Sequence, residues 1–247
     1  DAWSVVVDSE DSVYFTGAFA GENINFNTTG SGTDDLKTSI TSSYYDFFIT
    51  KYSAAGVYVR TRTIGGTSND RAYGAAIDTD DNLYIIGNFI GLDVNFNTTT
   101  RGDADYKSSV GSSDVYIQKY TLGDSGYCGV PEPTPTATPT VTPTLTPIPT
   151  DTPWEGNCDY YGAKTFGSAT DDTAWDVYAD ADDNIYITGI FTGADVDFNQ
   201  SGEGPADLHS SNGGNDIFVT KYNADRSYAW TITFGGIGDD GGYGANI

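Results

Sequence analysis

One pattern occurs three times in this chain, and it limits the fold more than any other feature. Residues 3–27 read WSVVVDSEDSVYFTGAFAGENINFN, residues 73–97 read YGAAIDTDDNLYIIGNFIGLDVNFN, and residues 175–199 read WDVYADADDNIYITGIFTGADVDFN. Residues 243–247 begin the pattern a fourth time. A unit that recurs at a fixed spacing cannot bury its apolar face alone and does so by stacking on its neighbours.

Each copy alternates β-branched and aromatic residues with small or polar ones, between clusters of Asp, Asn, Gly and Ser. That is the signature of short strands and tight turns, and no stretch holds a helical period. In the first copy, strands are expected over residues 5–8, 13–19, 46–52 and 57–64. A short segment at 24–27 and a polar loop through 43 lie between the second and third. Gly17 and Gly87 are 70 residues apart, and Lys51 aligns with Lys119 and Lys221. The expectation is an all-β fold of propeller-like repeats, three four-stranded antiparallel blades of about 70 residues each.

The register breaks once. From Lys51 to Gly65 is 14 residues, and from Lys221 to Gly235 again 14, but from Lys119 to Gly167 is 48. The extra residues hold the tract PEPTPTATPTVTPTLTPIPTDTP at 131–153, whose regular Pro spacing predicts an extended polyproline-II rod. The expected organisation is blade 1 at 1–66, the first three strands of blade 2 at 67–127, and a Pro/Thr-rich insertion at 128–158. The last strand of blade 2 follows at 159–168, blade 3 at 169–236, and the start of a further repeat at 237–247. The alternative parse makes the tract a linker between two domains. Thr134, Thr136, Thr138, Thr140, Thr142, Thr144 and Thr146 are candidate O-glycan acceptors. The two cysteines of the chain, Cys128 and Cys158, flank the tract. A disulfide between them would staple its base, contributing about 3–4 kcal/mol, and would place the chain in an oxidising compartment. The alternatives are two free thiols or pairing between chains.

The unit G-x-x-D–strand–K-Y, hairpin, G-G, Y-G–strand–D-x-x-x-N-[LI]-Y-[IV]-x-G resembles the bacterial SBBP-type β-propeller repeat. Asp114 with Lys119, Gly65-Gly66, and Asp78 with Asn82, Tyr84 and Gly87 carry the resemblance, with their counterparts in the other copies. It covers nearly all of the chain outside the Pro/Thr tract, and departs from the family in the D-V-N-F-N segment and the long loop after it. The resemblance implies a propeller and a secreted or cell-surface setting, and no particular activity.

A formal net charge of −24 excludes the electrostatics that nucleic acid and anionic membranes require. No apolar run is long enough for a spanning helix. The chain has neither a leader-like segment nor any Met, so it reads as a mature or trimmed product. Three arrangements could carry ligand chemistry. Asp78, Asp80, Asn82 and Asp180, Asp182, Asn184 present D-x-D-x-N, with Asp8 and Glu10 as the weaker first copy. Alternating oxygens around a turn suit Ca²⁺, although Asp and Asn are also the commonest turn residues. Asn23, Asn25, Asn27, Asp93, Asn95, Asn97, Asp195, Asp197 and Asn199 alternate with apolar residues, which puts them on one strand face. They suit a ladder or else a cation or sugar site. Asn27, Asn97 and Asn199 each open an N-x-[ST] sequon.

Signals for catalysis are weak. His209 is the only histidine and stands in a polar loop. The acidic pairs Asp171/Asp172 and Asp239/Asp240 recur at the position of Asp70, as turn residues do. These observations favour a non-enzymatic extracellular structural protein that assembles with itself, or that forms part of a longer tandem chain, into a layer, sheath or filament. A carbohydrate- or protein-binding propeller module, engaging cell-surface glycans, is the second reading. A Ca²⁺-dependent enzyme acting on polysaccharide is the third.

Overall fold

A computed structural model describes residues 1–30, 32–99, 102–122, 158–200 and 204–244. The candidate glycan-acceptor threonines, Cys128 and the Cys158 thiol lie outside them.

The described residues form strands and no helices. Blade 1 contains β1 (Ala2–Val7), β2 (Val13–Phe19), β3 (Ile24–Asn25), β4 (Leu36–Lys37), β5 (Asp46–Tyr52) and β6 (Tyr58–Ile64). Blade 2 contains β7 (Arg71–Ile77), β8 (Leu83–Phe89), β9 (Val94–Asn95), β10 (Tyr106–Lys107), β11 (Asp114–Leu122) and β12 (Cys158–Phe166). Blade 3 contains β13 (Thr173–Ala179), β14 (Ile185–Phe191), β15 (Val196–Asp197), β16 (Leu208–His209), β17 (Asp216–Tyr222) and β18 (Tyr228–Phe234). The three main sheets are four-stranded, ordered β1-β2-β5-β6, β7-β8-β11-β12 and β13-β14-β17-β18, with antiparallel pairing throughout. This is an all-β, propeller-like repeat fold. The first strand of the chain begins earlier than the sequence suggests, at Ala2, and β12 begins at Cys158.

Two details differ from the sequence reading, and one agrees with it. The polar loop after the second strand folds back on itself: β4, β10 and β16 pair with β3, β9 and β15 as two-residue hairpins. Two-residue strands carry no periodicity, so the pattern cannot reveal them. Tyr243 and Gly244, expected to open a further strand, are not part of one. The Pro/Thr tract interrupts a hairpin, since β12 completes the sheet of β11 with Leu122 opposite Cys158.

Blades stack face to face, with β1, β7 and β13 side by side as the innermost strands. Two cores result. In the first, Phe47, Ile49, Ile64 and Tyr14 of blade 1 pack on Leu83, Ile85, Phe89, Phe96 and Tyr116 of blade 2. In the second, Tyr84, Ile86, Val115, Ile117 and Phe166 of blade 2 pack on Ile185, Ile187, Phe191, Phe198 and Phe218 of blade 3. The middle sheet is therefore buried on both faces, and β8 is buried along its whole length. A strand with two apolar faces is what a central blade requires. The repeated glycine of the second strand is explained by crowding. A Cβ on Gly17, Gly87 or Gly189 would lie 2.0, 1.9 or 2.1 Å from the carbonyl oxygen of Asp1, Arg71 or Thr173, at the start of the bulged inner strand.

Candidate functional sites: junction turns, loop hairpins and two open faces

The D-x-D-x-N segments are the hairpin turns between first and second strands. Each starts with an Asp that folds its carboxylate back onto the turn. Asp78 Oδ1 accepts the N–H groups of Asp80 (3.1 Å) and Asn82 (2.7 Å), and its Oδ2 accepts from Asn82 Nδ2 (2.8 Å) and the Tyr84 hydroxyl (3.1 Å). Lys119 Nζ lies 3.8 Å away. Asp180 does the same with Asp182 and Asn184. Asp8 does so with Glu10, Ser12, Tyr14 and Lys51, whose Nζ is 3.3 Å distant. Burial pushes the Lys51 and Lys119 ammonium groups down from their ordinary value, with the neighbouring Asp8 and Asp78 acting against it.

The three turns spend their inward carboxylates on the protein's own donors. Asp8 and Asp78 face N–H, O–H and ammonium donors, whereas Glu10, Asp80 and Asp182 are exposed. Among the described residues no group of three or more His, Cys, Asp or Glu side chains is arranged to hold a metal. The turns have another task. Asp11, Asp81 and Asp183 sit at positive φ (60°, 60° and 61°), a conformation Asp tolerates. From there Asp81 accepts the Ser9 N–H of blade 1 (2.9 Å), and Asp183 accepts the Thr79 N–H of blade 2 (2.8 Å). Consecutive turns are thus tied from blade to blade.

The alternating Asn/Asp residues organise the small hairpins. Oδ1 of Asn25, Asn95 and Asp197 each accepts two backbone N–H groups, from Asn27 and Asp35, Asn97 and Asp105, and Asn199 and Asp207. The sequon residues Asn27, Asn97 and Asn199 are buried. Each donates from Nδ2 to a loop carbonyl, that of Thr33 (2.8 Å), Asp103 (2.7 Å) or Pro205 (2.9 Å). A glycan would bond to that same nitrogen, in a side chain that the fold buries. The set is a pin within each blade and not a ladder running across blades.

Sequence reasoning missed the clamp that holds this hairpin to the outer strand. Tyr58 donates to Asp35, Tyr160 to Asp105 and Tyr228 to Asp207. Lys37 and Lys107 lie 2.8 Å from their Asp, and His209 Nε2 stands 3.2 Å from Asp207 in the third copy. The lone histidine is therefore the third member of a repeated clamp, with Nδ1 3.2 Å from the Thr233 hydroxyl. Aligning Asp35-x-Lys37, Asp105-x-Lys107 and Asp207-x-His209 would have exposed it.

The acidic pairs are loop ties. Buried Asp70 accepts the N–H groups of Gly66 (2.7 Å) and Ile90 (3.0 Å), and Asp172 those of Ser168 (2.6 Å) and Thr192 (3.1 Å). Asp240 accepts that of Gly236 (2.7 Å). Burial raises Asp70 and Asp172 to about 7 despite these donors, and raises Asp46 and Asp114 to about 6. Each raised carboxyl belongs to a repeated structural position, which sets it apart from a single tuned acid/base pair.

What remains is at the two ends of the stack. Ile64 and Phe166 occupy one repeat position and are 1% exposed, while Phe234 at the same position is 52% exposed. On the opposite side, Ala75 and Val177 are 7% and 5% exposed and their counterpart Val5 is 56% exposed. The outer face of blade 1 holds an apolar groove of about 490 Å³, lined by Ala2, Val13, Phe15, Phe26, Phe48 and Tyr52 among others. Trp3, Tyr73, Trp175 and Tyr243 form a row of tilted rings with centroids 5.0, 4.6 and 5.8 Å apart, and the rings at positions 3 and 243 end the row.

No protein-family model matches the chain. It is similar to an uncharacterised WD repeat-containing protein of Acanthamoeba polyphaga mimivirus, 26% identical over 121 residues. That match spans 47% of this chain and 9% of the viral protein's length. WD repeats build propeller blades, so the similarity accords with the sheets described above.

Proposed function

We propose that the chain is a non-enzymatic structural protein of the cell surface or extracellular space, a building block that associates with itself into a layer, sheath or filament. The observation that carries this reading is the pair of end faces. Positions buried at both internal junctions stand exposed at the two ends, as surfaces awaiting further blades do. The polar clusters agree with it, because the same turn, hairpin and loop contacts recur from blade to blade. The setting is inferred from the strongly acidic composition, the two cysteines bracketing the insertion, and the Thr-Pro tract with its candidate O-glycan acceptors.

Negative-stain imaging over a rising protein concentration tests the proposal. Filaments or sheets are the expected result. Discrete closed rings at every concentration would refute it and favour a binding propeller for carbohydrate or protein. The blade 1 groove, concave, apolar and large enough for a small ligand, supports that second reading.

A further inference from the structure

We propose that the outer face of blade 1 is the docking site for the exposed face of blade 3 of a second copy of this chain, so that copies join head to tail. The inference rests on the self-association reading and specifies its polarity. The same two kinds of face are already seated on each other twice within the chain. At the first junction Phe47 lies 4.8 Å from the Tyr116 ring and 6.1 Å from that of Phe96. At the second, Phe166 lies 5.0 Å from Phe198 and 5.4 Å from Phe218.

Phe234 is the repeat counterpart of Phe166, and Phe26 and Phe48 are those of Phe198 and Phe218. A copy docking through blade 3 therefore brings Phe234 onto Phe26 and Phe48, which line the groove of blade 1. Trp230 and Ile232, 37% and 56% exposed, are covered at the same time. The faces differ from one another, so the contact is heterologous and each copy keeps one free face of each kind.

Two details fix the register. Asp11 has the same positive φ as Asp81 and Asp183, each of which accepts an N–H from the turn of the preceding blade. In the docked pair the Ala181 N–H of the incoming blade 3 meets Asp11. Tyr243 already stacks on Trp175 where the partner copy's Trp3 belongs, so docking exchanges one ring for the other.

Sedimentation velocity on the full chain, with Val5→Asp, Phe234→Asp and their equimolar mixture, tests the polarity. Both residues are exposed, so neither substitution burdens a core. Wild type associates with rising concentration, more strongly in salt, because copies of net charge −24 repel one another. Each variant alone binds itself at least about tenfold more weakly. The mixture forms a one-to-one pair, because the Phe234→Asp copy keeps its blade 1 face and the Val5→Asp copy keeps its blade 3 face. A Phe234→Asp protein that still dimerises like wild type, or a mixture that stays monomeric while wild type associates, overturns the head-to-tail assignment alone. A wild type that is monomeric at every concentration and salt overturns self-association as well.

Discussion

Phe166 and Phe234 occupy the same place in successive blades, so replacing each by alanine compares one side chain in two environments. Phe166 is fully buried between the rings of Phe198 and Phe218, and its removal leaves a cavity that neighbouring sheets cannot close. Core Phe→Ala changes of this kind cost about 3–5 kcal/mol. Phe234 is 52% exposed, so its ring contributes roughly half the burial and encloses no cavity, which gives about 1 kcal/mol. With a urea slope of about 2 kcal/mol per M, the midpoint should fall by about 1.5–2.5 M for Phe166→Ala and by about 0.5 M for Phe234→Ala. The assay is urea unfolding at low micromolar protein, followed by fluorescence and far-UV circular dichroism. Equal losses at that concentration would refute the claim that the end face is open. If the Phe234→Ala loss grows with protein concentration, the ring is being covered by another copy.

Acidification from pH 7.5 to 5 should stabilise the fold. A carboxyl raised to about 7 in the folded chain, against 3.8 ordinarily, binds protons that the unfolded chain does not, so stability falls as pH rises between those values; Asp70→Asn should flatten the thermal-melt profile over that range. Asp183→Ala should cost about 2 kcal/mol, through lost bonds to Thr79 and strain at positive φ, whereas Asp183→Asn should cost less than about 1; matched losses in chemical denaturation would refute the inter-blade role. Gly87→Ala should prevent blade 2 from pairing normally, since the added methyl meets the Arg71 carbonyl at 1.9 Å, and soluble yield with hydrogen exchange of β7 and β8 reads this directly. Chelator, and Asp80→Ala with Asp182→Ala, should leave the melting temperature unchanged, because both side chains are exposed and the turn is closed by Asp78 and Asp180; a drop in melting temperature with chelator would restore the calcium reading.

The repeat was legible because its glycines, aspartates and lysines are fixed by contacts that recur in every blade. Gly87 must clear a carbonyl, Asp78 must close a turn, and Lys119 must meet it, so each leaves a mark at constant spacing. The break at the Pro/Thr tract was legible for the same reason, since Lys119 and Gly167 had lost their spacing. The chemistry of the sites was not. D-x-D-x-N reads alike whether the oxygens converge on a cation or turn back on their own N–H groups, and only the folded turn separates the two. Asn27-Thr-Thr likewise matches a glycan acceptor in one dimension, while in three the amide is buried and bonded to Thr33 and Thr29 of its own loop. The open faces were invisible because Phe234 is written like Phe166. What distinguishes them is the presence of a neighbour.

The pairing of Leu122 with Cys158 has a consequence for how the chain reaches its fold. Blades 1 and 3 close their outer hairpins over about five residues, but blade 2 must close the same hairpin over about 35. Loop entropy makes that step costlier by about 1.7 kcal/mol, a difference that falls on the rate before any contact returns it. The two terminal blades can complete their sheets from local contacts, while the middle one, which both cores need, waits for β12 to arrive. Assembly of the stack should therefore be gated from its centre. Shortening the insertion should accelerate folding far more than it slows unfolding.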